Sequence, residues 1–272
     1  MKRSLAFLLI LAASSTLAWE SELVPFLEVR PDVERERRYV RFSCEIPSSD
    51  MEMPKEPLDI FGLSFGLCFD CVPGRMAGLQ WGSLVAEAAS ATGLQGSFGL
   101  TSACESDGIQ LGLLVAGSEN HAGVQFGGLS ADSERLTGLQ FGGLEAMVGH
   151  LDGISVGLLH NSVRSGHGIA ASLGTTWTTR YRNELFSGVQ LAGIVNYSQD
   201  VCGVQIALGA NHAHDCCGLQ AALFYNRADK LHGVQIGFVN VAHSGSGVQI
   251  GFFNLFGSDD DLLMIPFLNA RF

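Results

Sequence analysis

Residues 233–254 read GVQIGFVNVAHSGSGVQIGFFN, a stretch in which Gly-Val-Gln-Ile-Gly-Phe occurs twice, with starts fourteen residues apart. Related copies run through most of the chain. Thirteen copies start at Gly62, Gly78, Gly93, Gly108, Gly123, Gly138, Gly153, Gly168, Gly188, Gly203, Gly218, Gly233 and Gly247. Nine of the twelve spacings are 15 residues, and we attribute the spacing of 20 after Gly168 to an insertion at residues 175–181. The chain is therefore predicted to be a tandem repeat array.

The first five positions of each copy alternate in character. Position two is aliphatic in every copy and position four is large and apolar in ten, whereas position three is Gln in ten. This period of two is typical of a β-strand, and a helix with glycine at positions one and five would lose about 1 kcal/mol at each. We predict an all-β chain in which the aliphatic residues face the core and the glutamines face the other way.

The rest of each copy has the composition of a turn. No copy has a charged residue in its first seven positions, so the charges of the array fall in the remainder. The later copies also place asparagine just after the strand, and asparagine tolerates the left-handed conformation of bends. Each copy is therefore predicted to be a short strand followed by a polar turn.

Two architectures fit this period. In a β-solenoid each copy is one coil, and equivalent residues stack about 4.8 Å apart. In an outer-membrane β-barrel each copy is one antiparallel strand, and residues 262–272 bring the number of strands to fourteen. We favour the solenoid, because the turns do not alternate in length and only 4 Tyr and 3 Trp are present for two aromatic girdles.

The solenoid makes two specific predictions. The first is a set of external or corner ladders formed by Gln205, Gln220, Gln235, Gln249, Asn196, Asn211 and Asn226. The second is a disulfide between Cys202 and Cys217, which occupy the last position of adjacent copies. Stacked coils would bring their Cα atoms to about 5 Å, within disulfide range, whereas antiparallel strands would separate them.

The termini predict export and capping. Residues 1–18 have a basic start, an apolar middle and a Thr16-Leu17-Ala18 end, as in a cleaved signal peptide. We assign residues 19–57 to an N-terminal cap or leader, 58–257 to the array, and 258–272 to a C-terminal capping strand. Removing Lys2 and Arg3 leaves 14 basic and 27 acidic residues, a net charge of −13. This acidic balance argues against nucleic acid as a partner.

The segments GVQIGFVNVA, residues 233–242, and GVQLAGIVNY, residues 188–197, resemble the Gly-x-Gln-x-Gly surface-repeat proteins of bacteria with outer membranes. The resemblance covers residues 62–256, although the copies starting at Gly62, Gly93 and Gly168 depart from the pattern. It implies an exported or surface-associated protein of a Gram-negative bacterium, with no assigned activity.

Two clusters have the residue types of chemical sites. His212, His214 and Cys216 offer imidazole and thiolate ligands, and a strand would place both histidines on one side, which makes them weak metal candidates. A histidine-rich polar turn is the competing interpretation. Cys68 and Cys71 have C-x-x-C spacing without a second such pair, which favours structural thiols or a disulfide over a redox or zinc site.

The sequence contains no nucleophile elbow and no phosphate loop. We therefore predict no catalytic activity and no cofactor. The expected function is that of a structural scaffold or binding module at the cell surface or in the periplasm, for an unidentified protein, glycan or envelope partner. The alternative is an outer-membrane barrel that acts as a channel or structural element.

Overall fold

The computed structural model describes residues 36–43, 58–179, 185–257 and 263–272. The predicted signal peptide, most of the 19–57 leader and Cys44 lie outside these ranges. Every regular element within them is a β-strand. The strands are β1 (Glu36–Ser43), β2 (Leu58–Gly66), β3 (Phe69–Gly82), β4 (Val85–Ser97), β5 (Leu100–Gly112), β6 (Val115–Gly127), β7 (Ser130–Gly142), β8 (Glu145–Gly157), β9 (His160–Ser172), β10 (Thr175–Thr178), β11 (Phe186–Ala192), β12 (Val195–Ala207), β13 (Ala210–Ala222), β14 (Tyr225–Ile236), β15 (Val239–Phe256) and β16 (Leu263–Arg271).

The copies stack in parallel and in register. In the pairing of β5 with β6, for example, Gly108 lies beside Gly123 and Gln110 beside Gln125. Every strand pairing from β1 to β15 is parallel, and only β16 pairs antiparallel, with β15. A typical strand runs from position eight of one copy to position five of the next, and positions six and seven form the turn. The fold is therefore the predicted β-solenoid, and the antiparallel barrel is not formed.

The irregular copies also stack in register. Gly62 lies beside Gly78, Gly93 beside Gly108, and Gly168 beside Gly188. The predicted place of the insertion was wrong, because Thr175–Thr178 form β10, which stacks between β9 and β12. The additional residues of this copy therefore fall between Thr178 and Phe186.

The predicted orientation of the strands was also wrong. The position-three glutamines are buried inside the solenoid, as Gln125 and Gln205 show at 0% exposure, whereas Leu139 at position two is 48% exposed. The asparagines are inside as well, with Asn196, Asn211 and Asn226 at 0%. The ladders of Gln205, Gln220, Gln235, Gln249 and these asparagines are thus internal, not external or at corners.

The narrow coil explains this arrangement. A coil of about fifteen residues is so thin that one glutamine spans it: Gln110 Nε2 donates to the carbonyl oxygen of Gly117 on the opposite wall at 2.9 Å. The same nitrogen donates to Oε1 of Gln95 in the preceding coil at 3.0 Å. A buried carboxamide with both partners is stable, whereas one without a partner costs about 1–3 kcal/mol. An aliphatic residue at position three would leave the wall carbonyls without this donor.

The glutamine ladder has a uniform direction. Each Nε2 donates toward the N-terminus, at 2.9–3.1 Å in the segment from Gln80 to Gln140 and at 2.6–2.8 Å from Gln190 to Gln249. The asparagine ladder runs from Asn196 to Asn254 and donates toward the C-terminus at 2.8–2.9 Å. Most of the remaining interior is small or apolar, with Leu136, Leu151 and Leu231 fully buried at position fourteen, where one coil has the buried His121 instead.

Glycine at position one is required by the backbone. Gly123 has a φ of 123°, and a Cβ atom there would collide with the carbonyl oxygen of Gly108 in the preceding coil. The other position-one glycines from Gly62 to Gly233 also have positive φ. A side chain at this position would therefore be strained and would separate adjacent coils.

Both ends of the ladder are covered by strands outside the array. At the N-terminal end Ser64 Oγ donates to the buried Asp70, and Arg41 from β1 forms an ion pair with Asp70 at 3.6 Å and donates to the Cys71 carbonyl oxygen. At the C-terminal end Asn269 of β16 donates to Oε1 of Gln249 at 3.5 Å.

Candidate binding surface

Because the glutamines and asparagines fill the interior, the surface consists of the other positions. We call the outward residues at positions two and four the aliphatic face. All of them are apolar except Gly96, and none is charged. They are Leu63, Phe65, Leu79, Trp81, Leu94, Gly96, Ile109, Leu111, Val124, Phe126, Leu139, Phe141, Ile154, Val156, Ile169, Ala171, Val189, Leu191, Val204, Ile206, Leu219, Ala221, Val234, Ile236, Val248 and Ile250.

Another side of the solenoid carries an aromatic column, which we define as Trp177, Tyr197 and His212. These residues occupy position ten of three consecutive coils, and Arg227 follows in the next coil. The ring centroids of Trp177 and Tyr197 are 5.6 Å apart, and those of Tyr197 and His212 are 5.0 Å apart with nearly parallel planes. Burial and the adjacent Arg227 lower the pKa of His212, which favours the neutral ring.

A charged cluster lies beside this column. His214 Nδ1 is 3.5 Å from a carboxylate oxygen of Asp215 and 4.0 Å from one of Asp200. The three ligand atoms lie within 4.8 Å of one another, so this set has the geometry to hold a divalent cation. Ordinary surface ion pairs have the same geometry, and Lys230 stacks beside Asp215. We therefore assign no metal to the cluster.

The structure does not bring the predicted metal ligands His212, His214 and Cys216 together. The two histidines lie on one side of the strand, as predicted, and this side faces outward, but Cys216 points into the core and is 2% exposed. Burial raises the pKa of its thiol to about 12, which disfavours the thiolate that a metal requires. The alternation of inward and outward side chains is interrupted at a corner, where positions twelve and thirteen both face outward. Cys216, at position fourteen, therefore faces inward instead of outward.

Cys202 and Cys217 stack in register on adjacent coils, as the solenoid requires. Both are free thiols in the structure, and their mutual hydrogen bond raises the pKa of Cys202. Their disulfide stays a prediction. Cys68 and Cys71 are not joined by a disulfide in the structure, and the Cys71 thiol donates to Glu87 at 3.7 Å.

Sequence reasoning missed the aromatic column and the proximity of Asp200 and Asp215 to His214. The column has a signal in the sequence, because Trp177, Tyr197 and His212 all stand nine residues after the first glycine of their copies. No such signal exists for the ion-paired cluster. It joins positions twelve and thirteen of adjacent coils, and their proximity depends on the corner.

No family model matches the sequence, and no curated protein or solved structure shows significant similarity to the chain. Within the part of the chain that the structure describes, no helix is both long and apolar enough to cross a membrane.

Proposed function

We propose that the protein is a non-catalytic binding scaffold of the bacterial envelope, whose aromatic column docks another protein. The repeat solenoid is consistent with a structural or binding scaffold. The observation that carries the docking proposal is the column itself, in which Trp177 is 46% exposed and Tyr197 38% exposed, with Arg227 in the next coil. Trp, Tyr and Arg are the residue types enriched where protein interfaces concentrate their binding energy.

The solenoid supports this function through rigidity. Parallel strands hold the three rings in register, and the ring contacts fix their orientation, so little side-chain entropy is lost when a partner binds. The flanking Asp200, His214 and Asp215 supply both donors and acceptors around the apolar rings. An aromatic centre with a polar rim is the usual anatomy of a protein interface.

Location at the envelope is part of the proposal. It is supported by the signal-like composition of residues 1–18 and by the resemblance to exported surface-repeat proteins. The alternative function as a barrel channel requires antiparallel strands, whereas the copies pair in parallel. N-terminal sequencing of protein recovered from periplasmic and surface fractions tests export: we expect it to begin at residue 19, and cytoplasmic protein with residues 1–18 intact would contradict this.

The docking proposal is tested by binding of the purified chain to solubilised envelope protein of the source bacterium. We expect saturable binding that protease treatment of the envelope material abolishes. Trp177→Ala combined with Tyr197→Ala should weaken it at least tenfold, which corresponds to about 1.4 kcal/mol. Phe98→Ala is the matched control, because Phe98 is a 57% exposed aromatic residue outside the column.

Two outcomes would contradict the proposal. One is unchanged affinity in the Trp177→Ala, Tyr197→Ala variant. The other is binding that resists protease but is lost after periodate oxidation of glycans, because a glycan would then be the partner.

A further inference from the structure

The aliphatic face has no covering element among the described residues, and large parts of it are exposed. Leu139, Ile206 and Ile250 are 48%, 44% and 44% exposed. Thirteen coils at about 4.8 Å and a strand segment of four residues give this face on the order of 60 Å by 13 Å, or about 800 Å². Monomeric soluble proteins rarely leave apolar patches of more than a few hundred Å² exposed unless they are functional.

We propose that the aliphatic face is covered by the same face of a second copy of this chain, in an antiparallel, two-fold symmetric dimer. The available area equals the roughly 800 Å² per partner of a standard stable interface. A second copy also has the same spacing between coils, so its rows of side chains match along the whole length. The aliphatic face lies on a different side of the solenoid from the aromatic column, so this dimer does not depend on the proposed function.

Shape along the face favours the antiparallel arrangement. We number the coils from one, which starts at Gly62, to thirteen, which starts at Gly247. Reversing one copy then places the second coil against the twelfth and the sixth against the eighth. The sixth coil carries Phe141 at position four, and the eighth carries Ala171, so a large residue meets a small one. Trp81 of the second coil lies over Gly96, because a Cβ atom there would overlap the Trp81 ring.

A groove at the other end of the face accepts this tryptophan. It has a volume of about 550 Å³ and is lined mainly by Leu223, Ile236, Phe238, Ile250, Phe252 and Phe267. Ile236 and Ile250 belong to the twelfth and thirteenth coils, so Trp81 of an antiparallel partner faces this end of the chain. Phe267, on β16, has a φ of 68°. Strained residues of this kind occur at binding sites more often than elsewhere.

Charge favours pairing of the two faces and disfavours an anionic lipid surface. The chain has a net charge of −11, and none of its charged side chains lies on the aliphatic face, so pairing of the faces leaves the charges in water.

The mass of the purified chain in sedimentation equilibrium tests the dimer. We expect twice the mass of one chain at micromolar concentrations. Leu139→Glu should raise the dissociation constant at least a hundredfold, because the two-fold axis places two unpaired charges in the apolar interface. Thr137→Glu is the matched control, since Thr137 is exposed on the same strand but outside the face, and it should stay dimeric.

A compensating pair of changes tests the antiparallel register. Ala171→Trp should dissociate the dimer by colliding with Phe141 of the partner, and adding Phe141→Ala should restore it. Circular dichroism checks that each variant keeps its β-structure. A monomeric wild-type chain at 50 µM overturns the proposal, whether or not it binds phosphatidylcholine vesicles. A dimer that Leu139→Glu leaves intact, or a double variant that stays monomeric, also overturns it.

Discussion

The two halves of the solenoid solve the same packing problem with different interiors. From Gln80 to Gln140, one glutamine ladder runs through coils whose position nine is Ala or Thr. From Gln190 to Gln249, the glutamine ladder has an asparagine ladder beside it, and both have amide contacts of 2.6–2.9 Å. Between the halves, Ser155 and Ala170 interrupt the glutamine ladder, while Ser155 still donates to Gln140.

The direction of the amides gives this difference an electrostatic meaning. Aligned amide dipoles add, as they do in a helix. In the second half the two ladders donate in opposite directions, so their dipoles oppose each other. In the first half the single ladder donates toward the N-terminus without an opposing ladder, and at its donor end Gln80 Nε2 donates to the backbone carbonyl oxygen of Asp70, whose side chain is buried. The comparison indicates that the first half depends on its cap, whereas the second half compensates internally.

The largest expected effect comes from interrupting both ladders in one coil of the second half. Gln220→Met with Asn226→Leu removes contacts to Gln205, Gln235, Asn211 and Asn240. We expect a loss of about 5 kcal/mol in the free energy of unfolding, because several buried amide groups lose a partner. Urea unfolding followed by circular dichroism measures this. Leu219→Met, on the outer side of the same coil, should cost less than about 0.5 kcal/mol.

Interrupting the single ladder of the first half should have a smaller effect. Gln125→Met removes the donor to Gln110 and to the Asp132 carbonyl oxygen and the acceptor for Gln140. We expect a loss of about 3 kcal/mol, measured in the same way with Val124→Met as the outward control. A cost as small as that of the control would show that the glutamine ladder contributes little to stability.

Oxidation should stabilise the second half alone. We expect mild oxidation to join Cys202 and Cys217, with a gain of about 2 kcal/mol, because the disulfide closes a loop of about fifteen residues in the unfolded chain. Mass spectrometry of an unreduced digest identifies the bond, and Cys202→Ser is the control. Cys216 should stay reduced because it is buried. A Cys216 disulfide, or an oxidised chain without a Cys202–Cys217 bond, would contradict this stacking.

The smallest expected effect is a pH dependence in the first half. Burial raises the pKa of Asp132 to about 6, and the nearby Arg164 offsets only part of that rise. A raised pKa means that the folded state holds the proton more tightly than the unfolded chain, so the stability from this group is present below about pH 4 and is lost as the pH rises through 6.

Asp132→Asn should therefore stabilise the protein at pH 7.5, by about 1 kcal/mol because the side chain is only partly shielded from water. At pH 4 the stabilisation should be much smaller, because the folded protein already holds Asp132 protonated. Thermal unfolding at the two pH values checks this, with the exposed Glu134→Gln as control. Equal stabilisation at both pH values would show that the carboxyl group of Asp132 is not responsible.

The period, the strands and the parallel stacking were predictable because repetition is visible in the sequence. Which face points inward was not predictable, because the alternation places Val124 and Gln125 on opposite faces without showing which of the two is buried. Hydropathy selects the aliphatic side, but Gln125 finds partners both above it and across the thin coil. The side of Cys216 was unpredictable for a second reason: the corner at positions twelve and thirteen reverses the alternation. The aromatic column could have been found by comparing position ten between copies.

The central claim is that the glutamines form an internal ladder. Side-chain amide exchange with deuterium, measured by NMR on protein labelled with ¹⁵N only at glutamine, tests it most directly. The chain has eleven glutamines, of which ten occupy position three and are buried, while Gln199 is exposed and serves as the internal reference. We expect the ten buried carboxamide groups to exchange much more slowly than that of Gln199. Ten groups that exchange as fast as Gln199 would place the glutamines outside and contradict the account.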